Sequence, residues 1–378
     1  MSIRRRSWRT KSGQAREAWI FDYVDQAGAR HIETFARRKD ADARQVAVKT
    51  EIAAGTHTAA SSSPTVAGAA EAWLRYVELE GRERTTLKGY GEHVRLHIVP
   101  RIGHLKLASL TMPKIGAFRD ELVASGSRDR AKKVLTSLKA ILKDAQRRGH
   151  VAQNVAAGVS IGADPRGKRV LEAGTHFPIP DEVRRILAAA KPRWRALLVT
   201  AVFSGLRASE LRGLRWEDVD LKKSELRVRQ RADFYNQIGK PKSRAGSRTI
   251  PIGPMVVNTL REWKLRCPPG ALAFPTRSGR GVHHKNLIRS ALIPAQIAAG
   301  VVTPSGEAKY TGLHALRHFY ASWCINRRQD GGLELPPKLV QARLGHASIV
   351  MTLDVYGHLF PAGDDGSELA AAEKILLT

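Results

Sequence analysis

The hydrophobic pattern of this chain changes period as it runs. From Ala18 to Asp25 (Ala-Trp-Ile-Phe-Asp-Tyr-Val-Asp) aromatic side chains fall on alternate positions, putting Trp19, Phe21 and Tyr23 on one face of a strand. Residues 26–29 read as a turn, Arg30 to Phe35 as its paired strand and Ser7 to Thr10 as a third. Asp40 to Ala54 takes helical spacing and stops at Gly55. The pattern predicts a small module over residues 1–55, a three-stranded sheet on one helix. Gly55 to Pro64 is small and polar, the composition of a flexible linker.

From residue 65 to about 160 the period lengthens to that of helices. Ala70, Trp73, Leu74 and Val77 make one stripe, and further helices are expected at 85–98, 113–125 and 128–148. The last of these buries Val134, Leu135, Leu138, Ile141 and Leu142. Gly158 to His176, rich in Gly, Lys and Arg, reads as a second linker, and Pro180-Asp181-Glu182 opens a helix with residues suited to a first turn.

A third domain, 175–378, is mixed. An apolar helix running through Thr200 breaks at Ser204-Gly205, and an amphipathic one starts near Arg207. Ser224 to Asp233 alternates as a strand does and Arg248 to Ile252 can pair with it, framing a hairpin. A helix carries His314 to Tyr320, another follows the Gly345 stop with Ala347-Ser348 at its cap, and Ser367 to Leu377 is a short amphipathic tail. The fold class expected is multidomain α+β: a small sheet-and-helix module, an all-helical domain, and a mainly helical domain with a small antiparallel sheet.

Charge narrows the partner. The 378 residues hold 63 Lys+Arg against 35 Asp+Glu, a net charge of +28, and the excess is basic in each of the three parts. A uniform excess suits a protein that surrounds a polyanion, with salt-sensitive binding. Cys267 and Cys324 are too few and too far apart for a disulfide framework or a zinc site. No apolar run reaches membrane-spanning length, and Arg4-Arg5-Arg6 leads into Ser-Trp-Arg-Thr, not a signal-type core. A cytoplasmic, non-membrane protein is expected. There is no Walker loop, no Cys-x-x-Cys and no compact carboxylate cluster, so no metal and no cofactor are expected; the neighbouring His283 and His284 point apart.

Five separated pieces of the second half carry chemistry: Arg207, Lys242, His314-Ala315-Leu316-Arg317, Leu344-Gly345-His346 and Tyr356. A phosphodiester attacked by an oxygen nucleophile gains negative charge, which fixed cations stabilise more in the transition state than in the ground state. Two arginines offer planar forks for the non-bridging oxygens. Ser209 and Glu210, one turn beyond Arg207, can hold its guanidinium in place.

Laid out in order, these residues resemble the tyrosine recombinase, or phage integrase, family over roughly residues 180 to 360. The matching boxes are Ser-Gly-Leu-Arg-Ala-Ser-Glu-Leu at 204–211, a hairpin lysine, His-x-x-Arg at 314–317, Leu-Gly-His at 344–346 and Thr-x-x-x-Tyr-Gly-His at 352–358. Ser204 replaces the family's usual Thr and Ala315 its frequent Asp. The resemblance implies Tyr356 as nucleophile, His314 as proton acceptor, Arg207 and Arg317 as the phosphate clamp, His346 as a further donor and Lys242 as acid for the leaving 5′ oxygen, with Lys240 as the alternative lysine. The product would be a covalent 3′-phosphotyrosine, formed without ATP. His318 reads as packing or hydrogen-bonded scaffold.

The same resemblance implies an arm-type DNA-binding module over 1–55, a core-binding domain over 65–160 and a catalytic domain over 175–378. Candidate DNA contacts are Arg4, Arg5, Arg6, Arg9 and Lys11 in the first, Arg84, Lys88, Arg130, Lys132 and Lys133 in the second, and Arg244 and Arg248 near the hairpin lysine. The implied partners are double-stranded DNA attachment sites and three further copies of the chain, assembled as a tetramer on DNA from free monomers. A host DNA-bending protein or directionality factor would be accessory, and the setting a bacterial cytoplasm with nucleoid association during action. Integration and excision of a phage or mobile element is the function implied. A type IB topoisomerase-like enzyme and a non-catalytic DNA-binding regulator are the alternatives.

Overall fold

The computed structural model of the chain describes all residues except 11–13, 27, 56, 58, 60–62, 163–169, 361–365 and 378. Lys11 and parts of both segments read as linkers therefore lie outside the described residues. The chain divides into two compact units, Met1–Gly167 and Lys168–Thr378.

The first unit opens with an antiparallel meander, β1 (Ser2–Arg9), β2 (Ala15–Val24) and β3 (Arg30–Phe35). β1 begins five residues before the expected Ser7, with Ser2 opposite Asp22 and Arg5 opposite Trp19. Its arginines give no apolar alternation to read; cross-strand pairing holds them instead, Arg5 to Glu17 and Arg4 to Asp22 at 3.8 Å. Phe21 and Tyr23 close against Val48 of helix α1 (Arg38–Ala53). The stretch read as a flexible linker is tied down where it is described. His57 Nδ1 meets Glu51 Oε2 at 2.8 Å and its Nε2 meets the Tyr23 hydroxyl at 3.0 Å. Composition gave no hint of these partners.

A helical bundle follows: α2 (Val66–Leu79), α3 (Arg84–His93) running through a π turn at Val94–Ile98 into α4 (Val99–Ile102), α5 (Met112–Ala124) and α6 (Arg128–Arg147). Thr65 and Ser127 cap α2 and α6 by accepting from the backbone N–H of Gly68 and Arg130. Trp73, Ile98, Phe118, Leu138 and Ile141 meet in its core. Each such side chain contributes about 1.5–3 kcal/mol on burial.

The second unit contains α7 (Pro180–Ala189), α8 (Pro192–Ser204), α9 (Ala208–Gly213), β4 (Val219–Asp220), β5 (Glu225–Val228), β6 (Arg231–Ala232), β7 (Ile238–Gly239), β8 (Arg248–Pro251) and α10 (Pro254–Arg266). After these come α11 (His284–Leu287), a π turn to α12 (Ile293–Ala298), α13 (His314–Ile325), α14 (Pro337–Leu344), α15 (Ile349–Tyr356) and α16 (Ser367–Leu377). Helix α8 is apolar all round, every residue from Ala196 to Val202 being buried, so it forms the central rod against which α10 and α13 pack. The strand expected over 224–233 is split: β5 lies between β4 and β8, while β6 turns away to pair with β7. Arg212 causes part of that turn, donating to the carbonyls of Asp233 at 2.8 Å and Val282 at 2.7 Å. On α16, Leu369, Ile375, Leu376 and Leu377 are exposed. Among the described residues no helix is long and apolar enough to cross a membrane.

Candidate active site

Two helices that end on left-handed glycines frame the site. Helix α8 stops at Gly205 (φ 61°) and α14 at Gly345 (φ 65°). A helix end leaves carbonyls without intrahelical donors, and the left-handed residue bends the chain so that other groups can reach them. Arg317, one turn into α13, does so: its Nη1 donates to Gly205 O at 2.5 Å and its Nη2 to Leu344 O at 2.6 Å. Arg207, immediately before α9, donates from Nη2 to Gly345 O at 3.1 Å. A side chain at Gly205 would overlap the Tyr320 ring, and one at Gly345 would meet Arg248 and the Ala245 carbonyl. Both corners need glycine.

Glu210 is buried beneath these arginines and saturated. It accepts from Arg207 Nη1 at 2.8 Å, from the Arg207 backbone N–H at 2.9 Å, and from Arg248 at 2.9 and 3.2 Å. Burial pushes its carboxyl up, but Arg248 and Arg207 together hold it below the usual carboxylate range. Arg248 was expected on the DNA backbone; its side chain instead turns inward, 6% exposed, and also donates to Arg343 O at 2.8 Å. The correction has a simple cause, since a buried carboxylate with four acceptor sites draws in a second guanidinium. Burial, then the charge of Arg207, pulls Arg317 down, yet a guanidinium keeps its proton at neutral pH. Two guanidiniums on one carboxylate, with Arg317 held beside them by backbone carbonyls, leave an excess of positive charge suited to an anion.

Tyr356, at the end of α15, is 1% exposed. Burial pushes its phenol up to about 12, against the opposing pull of Arg317 and Arg207. The His346 ring lies parallel to it at 6.3 Å between centroids and is fixed by a 3.0 Å hydrogen bond between Nδ1 and Thr352 Oγ1. Burial and the surrounding arginines pull His346 down to about 4. His314, first residue of α13, reaches solvent; partial desolvation and then Arg317 and Arg207 lower its imidazole. The hydrogen bond to the Tyr356 hydroxyl comes from His318, whose Nδ1 is 2.7 Å from Oη. Sequence reasoning set His318 aside as scaffold. The signal was there, because 314 and 318 are one turn apart and share a helix face.

The arginines, Glu210, His346 and Tyr356 are thus gathered, with His314 at the rim. Lys242 is exposed, in the stretch between β7 and a 3-10 turn at Arg244–Gly246; that turn is anchored beside Gly345 through Ala245 and Arg248. Arg244 is exposed there. The first-unit candidates Arg4, Arg5, Arg6, Arg84, Lys88 and Arg130 are exposed and Lys132 is half-buried; Lys88 pairs with Glu92 at 4.0 Å. His283 packs edge-on against Phe234 at 5.7 Å, and His284 is lowered by burial.

Residues 179–362 match the phage integrase family. The chain is 27% identical over 318 residues to a XerC-like tyrosine recombinase of Caldanaerobacter subterraneus subsp. tengcongensis, covering 76% of this chain and 78% of that protein. It is 33% identical over 219 residues to the tyrosine recombinase XerC of Xylella fastidiosa strain M23, covering 56% of this chain but only 64% of that one. In fold it is similar to the Tn1549 transposon integrase solved with a circular intermediate DNA (TM-score 0.64, 19% identity, 83% of this chain and 100% of that one). It is also similar to a lambda integrase tetramer bound to a Holliday junction (TM-score 0.57, 18% identity, 90% and 95%). Fold and kinship together define an enzyme class, those that cut and rejoin DNA strands. Within that class, residues 179–362 form a domain of the phage integrase family, the tyrosine recombinases.

Proposed function

We propose that this chain is a site-specific DNA recombinase of an integrating element, cutting each strand through a covalent 3′-phosphotyrosine on Tyr356. The observation that carries the reading is the phenol of Tyr356 within the influence of two arginines, Arg207 and Arg317, that are themselves pinned to helix-end carbonyls. Pinned cations need no reorganisation as charge grows on the phosphate, which is where such groups accelerate a reaction most. The N–H groups of Arg207 and Arg317 not already bonded to protein would face the non-bridging oxygens, with His314 and His346 as further donors. Lys242 would give a proton to the departing 5′ oxygen. One phosphodiester replaces another, so the link stores what rejoining needs.

The sheet-bearing N-terminal module, with exposed Arg4, Arg5 and Arg6, supports an arm-site role in integration and excision of a phage or other mobile element. The helical bundle over 65–160 would hold the core site, with Arg84, Lys88, Arg130 and Lys132 as its candidate phosphate contacts. Tetramer formation on DNA, as in the lambda integrase assembly, is the expected working state. The exposed apolar residues of α16 give that assembly a contact, since a tail of this kind can dock on a neighbouring copy.

Incubating wild type and Tyr356→Phe in EDTA with end-labelled DNA, carrying the attachment site and a nick that traps cleavage, tests this directly. A covalent protein–DNA band from wild type alone is expected. Site-specific binding without any band would favour a regulator, and relaxation of plasmids lacking a site would favour a topoisomerase.

A further inference from the structure

Tyr356 Oη has one hydrogen-bond partner among the described residues, His318 Nδ1 at 2.7 Å. His314 makes no such bond; it stands edge-on to His318 with 4.7 Å between ring centroids. The direction of the His318 bond follows from burial. If the phenol accepted from the imidazole, its own proton would be left unpaired at a site 1% exposed, whereas donating it to Nδ1 satisfies both groups. Nδ1 therefore carries the lone pair, and the ring proton is on Nε2. We propose that His318, not His314, is the group that takes the proton from Tyr356 as its oxygen attacks phosphorus. The inference rests on the reading of Tyr356 as nucleophile.

The surroundings suit that task. An open cleft of about 370 Å³, lined by Thr175, His176, Lys309, Thr311, His314 and His318 among others, gives the imidazole a way to water. Burial first, then His314, Arg317 and His176, keeps the ring neutral, its pKa drawn down to about 4, so the lone pair is present at working pH. A base held so low is weak until the scissile phosphate arrives. The anion offsets the cationic neighbours and raises the basicity of His318 when the phenol must be deprotonated. In the step, the Tyr356 O–H bond breaks and its proton goes to Nδ1. The Oη–P bond forms, the P–O5′ bond breaks, and the leaving oxygen takes a proton from the Lys242 ammonium. Rejoining reverses each transfer. His314, relieved of the proton, remains a phosphate donor at the rim.

His318→Asn places an amide where Nδ1 was, so the hydrogen bond can persist while the proton cannot be held. Single-turnover cleavage of the nicked DNA is the readout, measured from pH 6 to pH 9 for wild type, His318→Asn, His318→Gln, His314→Asn and Tyr356→Phe, with melting temperature and DNA binding alongside. The titratable and charged groups around His318 are His314, His176, Lys309, Arg317 and Tyr356. At neutral pH both His318 variants should lose about 100-fold or more in rate. Their residual rate should climb about tenfold per pH unit, because the phenol must then ionise unaided. His314→Asn should be slowed without that climb. The inference is overturned if a folded, DNA-binding His318→Asn cleaves at the wild-type rate, if its slowed rate is flat with pH, or if the climb appears in His314→Asn instead. Absence of covalent product from wild type would remove the nucleophile reading and this inference with it; product from wild type but not Tyr356→Phe keeps the two separable.

Discussion

Glu210→Gln should destabilise the second unit more than its size suggests. The carboxylate is 3% exposed and receives four donors, two from Arg207 and two from Arg248. Glutamine keeps the shape and one carbonyl, but turns an NH2 toward donors and leaves Arg248, itself 6% exposed, as a buried charge without its counter-ion. Summing four charge-assisted bonds would overcount, since they form one network. The better figure is the cost of breaking a buried pair by removing one partner, about 3–5 kcal/mol. For a unit of this length that corresponds to a fall in Tm of about 6–20 °C. Adding Arg248→Met should recover part of the loss, because the orphaned charge goes with it. The sign of the pH dependence is also fixed. Glu210 has its folded pKa depressed, so its contribution is complete above the unfolded carboxylate value and disappears as pH falls through the folded one. Glu210→Gln should remove that acid-labile part. Urea unfolding of four proteins, wild type, Glu210→Gln, Arg248→Met and the double variant, followed by tryptophan fluorescence, measures the quantities. A cost for Glu210→Gln below about 1 kcal/mol, or a double variant that loses the full sum of both singles, would refute the reasoning.

Gly205→Ala combines a left-handed backbone with overlap onto Tyr320, and should cost about 2–6 kcal/mol and leave little folded protein at 37 °C; thermal melts decide it, and a near-wild-type Tm would show that α8 ends differently. Lys242→Ala should slow cleavage of ordinary DNA by about 100-fold or more and recover on a 5′-bridging phosphorothiolate, whose thiol leaving group, pKa about 8.5, needs no proton; Lys240→Ala should behave as wild type, and the opposite pattern would move the acid to Lys240. Deleting residues 362–378 should weaken assembly of paired sites while leaving binding to a single site intact, because the exposed Leu369, Ile375 and Leu376 would be gone; unchanged synapse bands in a gel shift would count against a docking tail.

What could be read from sequence, and what could not, divides along a physical line. Strands and helices whose faces are buried announce themselves by period: Phe21 and Tyr23 lie against Val48, and Leu138 and Ile141 fill the bundle. The basic strand β1 has no buried period and began earlier than expected. Motif residues named from the resemblance come from elements far apart in the chain, yet their partners are mostly backbone carbonyls, which no sequence pattern records. Arg248 shows the consequence. Its position beside a hairpin lysine suggested a phosphate contact, whereas the decisive fact was Glu210, 38 residues earlier, with acceptor sites left over after Arg207. His318 shows it again, since only the fold brings Tyr356 within 2.7 Å.

The two glycine-bearing boxes can therefore be understood as one device. Ser204-Gly205-Leu206-Arg207 and Leu344-Gly345-His346 each stop a helix, and each stop yields carbonyls at the negative end of a helix dipole. Gly205 O and Leu344 O hold Arg317, and Gly345 O holds Arg207. An arginine held by one flexible carboxylate could follow it or swing with it, while one bridged between the ends of two packed helices can move only if a helix moves. The glycines thus matter to chemistry although neither can touch DNA chemistry itself: they set where two positive charges stand before any phosphate arrives. That is why Gly205 and Gly345 sit inside the motif boxes beside Arg207 and His346, and why a change at either corner should be felt first as misplaced arginines.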